Sequence, residues 1–139
     1  MLCPFHLAIP CRDLEVSRQF YQEVFGCSLG RQARTWIDLN FFGHQLVLHH
    51  VAGSAPSVAT NPVDADDVPV PHFGVVLGWD AWHACKERVQ DRVSFVVPPK
   101  IRFVGEVGEQ ATMFFFDPSG NAIEIKAMRD SDNLFAAFP

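Results

Sequence analysis

The order of secondary-structure signals repeats once along the chain, and this constrains the fold more than any other feature. Residues 1–51 read β-α-β-β-β, and residues 72–128 read β-α-β-β-β again. Identity between the halves is slight; what repeats is the order of elements. A duplication of this kind sets two modules side by side, with equivalent strands facing one cavity. The expected class is therefore α+β, two βαβββ modules of mixed sheet within a single domain over residues 1–139.

In the first half, Phe5, Leu7 and Ile9 alternate with Pro4, His6 and Ala8, the period of a strand over residues 4–10 with His6 opposite the aliphatic face. Asp13 is the expected N-cap of a helix in which Leu14, Phe20, Tyr21, Val24 and Phe25 recur at helical spacing, and Gly26 is its stop. A short strand and loop over 27–34, a strand over 35–39, a hairpin turn at Phe41 to His44 and a return strand over 45–51 follow. On that last strand Leu46, Leu48 and His50 share one face, and Gln45, Val47, His49 and Val51 the other.

Residues 52–71 are rich in Ala, Ser, Pro, Asn and Asp and read as a long connecting loop. The second half then offers a strand over 72–77, a helix over 80–89, a short strand over 93–97 and a polar loop over 100–110. A hairpin follows, with strands over 112–116 and 122–128 about the turn at Asp117 to Asn121. Ala122, Glu124 and Lys126 share one face, Ile123 and Ile125 the other. Residues 129–139 form a C-terminal tail.

Composition narrows the function. The chain is 48% hydrophobic and 19% charged, which excludes a disordered or acidic-tail protein. Net charge is -5 and the 11 Lys and Arg are scattered, so a nucleic-acid partner is not expected. No apolar run approaches the roughly 18 residues of a membrane span. The start, MLCPFHLAIP, has no basic region, so no signal peptide and no membrane partner are expected. Cys3, Cys11, Cys27 and Cys85 form no CxxC pair and read as free thiols of a cytoplasmic protein. Thirteen Phe against one Tyr suggest that an apolar pocket accompanies the core.

Four polar residues stand on strands whose other face is aliphatic: His6, His49, His72 and Glu124. His6 and His72 occupy equivalent positions, early in the first strand of each half. A buried imidazole or carboxylate without a partner is costly, and one divalent ion would satisfy all of them. Two His and one carboxylate hold Fe(II) or Mn(II) with positions left open; Zn(II) or Ni(II) are the alternatives. His49 is the candidate fourth ligand, and Gln45 or Val47 sits opposite Glu124 if the register differs by two. Arg102, Phe103, Glu106, Glu109 and Gln110 in the polar loop are candidates for orienting a small-molecule substrate.

Three stretches carry a resemblance: PFHLAIPCRDLEVSRQFYQEVFGCSLG, with its RDLxxSxxFYxxVFG helix; VPHFGVVL; and FFFDPSGNAIEIK, with DPxGNxIEI as the most specific signature. The chain resembles the vicinal oxygen chelate superfamily of glyoxalase I, extradiol dioxygenases, fosfomycin-resistance enzymes and bleomycin-resistance proteins. The resemblance implies His6, His72 and Glu124 as metal ligands, residue 49 at or near a fourth corner, and a homodimer. It also implies bidentate chelation of neighbouring substrate oxygens. An extradiol-type dioxygenase is the first expectation. A glyoxalase I-like lyase or isomerase, with His49 as base beside Glu124, is the second. A non-catalytic binding protein of the bleomycin-resistance kind is the third. Ring-cleaving relatives use a second-shell His and Tyr, and the one tyrosine here, Tyr21, falls on a helix.

Overall fold

Alternation on the first strand decides which way the N-terminal half folds. In β1 (His6–Cys11), Ile9 and Cys11 are buried while His6, Ala8 and Pro10 are exposed. Helix α1 (Leu14–Phe25) turns Ser17, Tyr21, Val24 and Phe25 inward and packs on the sheet. It begins where the Asp13 carboxylate accepts from Val16 N at 3.0 Å. It stops at Gly26, whose φ of 69° is a left-handed conformation that costs glycine little. Strands β2 (Ser28–Gln32), β3 (Trp36–Phe41) and β4 (His44–His50) complete a sheet of order β1-β4-β3-β2, with β1 parallel to β4 and the other pairs antiparallel. Tyr21, Phe25 and Phe41 pack ring against ring beneath it, with centroids 5.2 to 6.3 Å apart.

The computed structural model describes residues 2–53 and 58–137. Residues 54–57 of the expected connecting loop and the last two of the C-terminal tail lie outside the described residues. The chain divides into two compact units, Met1–Pro56 with Asp117–Asn121, and Ser57–Phe116 with Ala122–Pro139.

The turn from the DPSGN signature is thus part of the first unit, and its hydrogen bonds show why. Asp117 Oδ1 accepts from the amides of Ser119 and Asn121, both at 2.9 Å. Asp117 Oδ2 accepts from the Tyr21 hydroxyl at 2.7 Å and from Asn121 Nδ2 at 2.8 Å. Asn121 Nδ2 also donates to Pro10 O, and the Arg12 amide donates to Ser119 Oγ. The signature is a latch that holds the turn against the start of α1.

The second unit opens with a hairpin, β5 (Ala59–Val63) and β6 (Asp66–Val70). Then come β7 (Phe73–Val76), α2 (Trp79–Val89), β8 (Phe95–Arg102), β9 (Gln110–Phe116) and β10 (Ala122–Met128), closed by a short 3-10 helix (Ser131–Phe135). Its main sheet has the order β7-β10-β9-β8, with β7 parallel to β10: the permutation of the first unit, repeated. Trp82 Nε1 donates to Ile125 O at 2.8 Å and pins α2 to β10. The fold is α+β, two βαβββ modules of mixed sheets, as the element order implied.

Three segments depart from the sequence reading. The connection was expected to be irregular, yet 59–70 pairs strand to strand across a two-residue turn at Asp64 and Ala65, both with positive φ. Pro62 and Pro69 inside those strands break the alternation by which a strand is recognised. Strand β8 runs on through Pro98 and Pro99 to Arg102, so Lys100 to Arg102 are strand rather than loop. Shifts of register between Phe95 and Lys100 absorb the prolines on this edge strand. The tail, read without structure, contains the 3-10 helix, whose N-cap Asp130 accepts from Asp132 N. Among the described residues no helix is long and apolar enough to cross a membrane.

Candidate metal centre

Parallel pairing of β7 with β10 sets Gly74 opposite Glu124. The backbones approach so closely that a Cβ on Gly74 would lie 1.6 Å from Glu124 O. This contact fixes where His72, just before β7, meets the carboxylate. His72 Nδ1 lies 2.6 Å from Pro69 O, and His72 Nε2 lies 3.2 Å from Glu124 Oε2. A carbonyl only accepts, so Nδ1 carries a proton and Nε2 of the neutral ring faces the carboxylate with a lone pair. Two facing acceptors need a cation between them.

A proton fills that role in the metal-free pair. The hydrogen bond to Glu124 raises the His72 pKa against the opposing effect of burial, and the bond to Pro69 O adds to the rise. Burial pushes the Glu124 carboxyl up, but donation from His72 and Thr112 and the charge of Lys126 outweigh it, so the net shift is downward. Thr112 Oγ1 donates to Glu124 Oε1 at 2.7 Å, which orients the carboxylate. The Phe114 ring meets His72 edge-on, with centroids 5.0 Å apart. An imidazole anchored through its far nitrogen and a carboxylate anchored through its far oxygen are the supports that metal ligands carry. The pair fits a divalent ion.

His6 is built the same way in the first unit. The register pairs it with Gln45, and its Nδ1 lies 2.7 Å from Gln45 Oε1. His49 shares that face but pairs with Trp36 and Pro10, four residues beyond Gln45 and so about 13 Å further along the strand. The position beside His6 on β4 is therefore Gln45. Among the described residues no three His, Cys, Asp or Glu side chains cluster as a metal site; His72 and Glu124 belong to the second unit and His6 to the first.

The loop candidates separate. Arg102 is 2% exposed on β8, where Nη1 donates to Val63 O at 2.6 Å and Nη2 lies 3.2 Å from Asp66 Oδ2. Lys100 Nζ holds the same Asp66 oxygen at 2.7 Å. Both cations brace the β5–β6 hairpin against the sheet. Glu109 lies 4.0 Å from Arg129 Nε and accepts weakly from Gly105 N. Phe103, with a φ of 53°, lines a cavity of about 220 Å³ together with Glu106, Gln110, Lys126 and Asn133.

Sequence reasoning did not assign Thr112 or Lys126 to the site. Lys126 stands two residues after Glu124 on the same face, so the strand period alone could have found it. Thr112 needed the antiparallel register that sets it opposite Lys126 and diagonal to Glu124.

The family model of the glyoxalase/bleomycin resistance protein/dioxygenase superfamily matches residues 4–125. No curated protein matches the chain in sequence. Among solved structures, the chain is similar to a glyoxalase/bleomycin resistance protein/dioxygenase from Alicyclobacillus acidocaldarius, at 32% identity and TM-score 0.81 over 96% of each chain. It shares its fold with the fosfomycin resistance protein FosX of Listeria monocytogenes, at 15% identity and TM-score 0.69, over 96% of this chain and 100% of the other. FosX of Mesorhizobium loti gives 15% and 0.68, over 96% and 98%.

Proposed function

The chain belongs to the glyoxalase/bleomycin resistance protein/dioxygenase superfamily, and from that premise we propose that it is a metal-dependent enzyme that chelates two neighbouring oxygens of a small substrate. The observation that carries this reading is the His72–Glu124 pair, two anchored acceptors 3.2 Å apart with Nε2 facing Oε2. His6, from this chain or a second copy, supplies the third ligand. Fe(II) or Mn(II) suits such a set, and Zn(II) or Ni(II) is the alternative.

When bound, the ion supplies Lewis acidity to the chelated oxygens. The chain's own residues do the rest. Thr112 and the Pro69 carbonyl hold Glu124 and His72 in place. Lys126 offers a cation next to Glu124 for an acidic group or a developing negative charge. Phe103 and Gln110 border the neighbouring cavity and hold the remainder of the substrate there. His49, exposed on its strand, is the base proposed for the isomerase or lyase alternative.

Within this reading, extradiol ring cleavage, the first expectation, lacks a second-shell tyrosine. Tyr21, the one tyrosine, is fully buried and its hydroxyl is committed to Asp117, so no tyrosine hydroxyl is free to serve a ring-cleaving site. Oxygen consumption with catechols, set against turnover of a glutathione hemithioacetal, separates the two. The four free thiols fit a cytoplasmic enzyme. The working molecule is proposed as a homodimer, which sedimentation tests.

The decisive experiment is element analysis of the purified protein followed by titration with Mn(II) and Zn(II). Wild type should bind one of them stoichiometrically, and His72→Ala should lose tight binding. A protein that takes up no divalent ion would instead be the non-catalytic binder, and full stoichiometry in His72→Ala would reject the site.

A further inference from the structure

We propose that Asp38 is a positioning residue for His6: acting through the Gln45 amide, it holds the His6 ring as the Nδ1–H tautomer and so keeps Nε2 free as an electron-pair donor. This rests on the reading of His6 as a metal ligand.

The argument is one of hydrogen-bond roles. The Asp38 side chain is 8% exposed in the middle of β3, and Gly30 on β2 lies against its Cβ. Its Oδ2 receives two donors, Arg31 Nε at 3.1 Å and Gln45 Nε2 at 3.2 Å. A carboxylate accepts and cannot donate, so the Gln45 amide must turn its NH2 toward Asp38. That orientation sends Oε1 the other way, to within 2.7 Å of His6 Nδ1. An amide oxygen also only accepts, so His6 must donate from Nδ1. The choice of tautomer is thereby passed from a buried carboxylate to an exposed imidazole.

The relay matters because free histidine prefers the opposite tautomer, with the proton on Nε2. Gln45 lines an open cavity of about 470 Å³, together with Asp38, Arg31, Asn40 and His44. Without Asp38, water there could satisfy the amide in either orientation, and the tautomer would no longer be set. His72 obtains the same result more simply, from the fixed carbonyl of Pro69. The two imidazoles of the duplicated units are thus prepared alike by different means. His6 lies on an edge strand, and there a side-chain relay takes that role.

The test is long-range proton–nitrogen NMR of the metal-free, nitrogen-15-labelled full chain, at a pH where the His6 ring is neutral. The His6 signals are identified by their loss in His6→Gln. Wild type should show the Nδ1–H form. Asp38→Ala should move His6 toward the Nε2–H form. Asp38→Asn, whose carbonyl can take the place of Oδ2, should keep the wild-type pattern. Zn(II) affinity should fall about 10-fold or more in Asp38→Ala and stay near wild type in Asp38→Asn. Wild-type His6 in the Nε2–H form, or an unchanged tautomer in Asp38→Ala, would overturn the proposal. If Asp38→Ala does not fold, Gln45→Met removes the middle link and must produce the same tautomer shift. The ligand reading fails separately, and is seen to fail, if His6→Gln binds Zn(II) as tightly as wild type.

Discussion

The Tyr21 hydroxyl donates to Asp117 Oδ2 at 2.7 Å, joining the first helix to a turn 96 residues away in sequence. The ring is fully buried against Phe20, Phe25 and Phe41. Burial, and then the charge of Asp117, push its pKa well above the ordinary phenol value.

This pair sets an alkaline limit on stability. A group with a raised folded pKa keeps its proton in the folded state after the unfolded chain has lost it. Its contribution is complete below about pH 10 and is lost as pH rises from there, by about 1.4 kcal/mol per pH unit. Denaturant midpoints should therefore fall steeply above that pH. Tyr21→Phe should cost about 1.5–3 kcal/mol near neutral pH, because Asp117 loses one donor to its carboxylate, and should flatten the alkaline fall by one proton's worth. Because Tyr21 is the sole tyrosine, phenolate absorbance reports this group alone and should appear only as the protein unfolds. A phenolate signal at ordinary pH in folded protein would refute this.

Much of the architecture was legible because local signals agreed with tertiary demands. Asp13, Gly26 and the apolar spacing between them mark α1, and alternation in residues 122–128 marks β10. What escaped was structure carried by prolines, in β5, β6 and β8, where pairing overrides the propensity of the individual residues. At the site, the alternation of residues 72–77 and 122–128 put His72 and Glu124 on polar phases, and the pairing of β7 with β10 is what brings them together. The partners that orient ligands did not. Pro69 O, Thr112 and Gln45 reach them only through cross-strand register and a backbone turn, neither of which a single sequence spells out.

Gly74 has no room for a side chain. A methyl group would collide with Glu124 O, which is backbone and cannot swing away. Gly74→Ala should therefore part β7 from β10, at a cost of about 1–3 kcal/mol, and should spread His72 from Glu124. Chemical denaturation should show the loss. Metal titration of the folded fraction should show weaker binding even though no ligand has been changed. Retention of both stability and affinity would mean the strands are further apart than described.

Thiol chemistry should divide the cysteines one against three. Cys3 is exposed, while Cys11, Cys27 and Cys85 are buried. Burial pushes the Cys27 thiol up to about 12 and also raises Cys85, there against the nearby Arg88. At mildly alkaline pH a thiol at that value has roughly a thousandfold less thiolate than an ordinary one. An aromatic disulfide reagent should label one thiol promptly in native protein and all four in denaturant. Cys3→Ser should remove the fast phase entirely.

Thr112 offers the most selective probe of the metal centre, because it touches the carboxylate and no part of an ion. Its side chain is buried on β9 and gives its hydroxyl proton to Glu124 Oε1. Thr112→Val keeps the volume and removes the donor. Glu124 would then be free to rotate about its last torsion, and its carboxyl would lose a bond that favours the charged form. Divalent-metal affinity should drop about 10-fold, at the low end of the effect expected for a residue that orients a ligand. Thr112→Ser, which restores the hydroxyl on a smaller side chain, should recover most of it. An affinity that falls equally in Val and Ser would trace the effect to packing at this position rather than to the hydrogen bond.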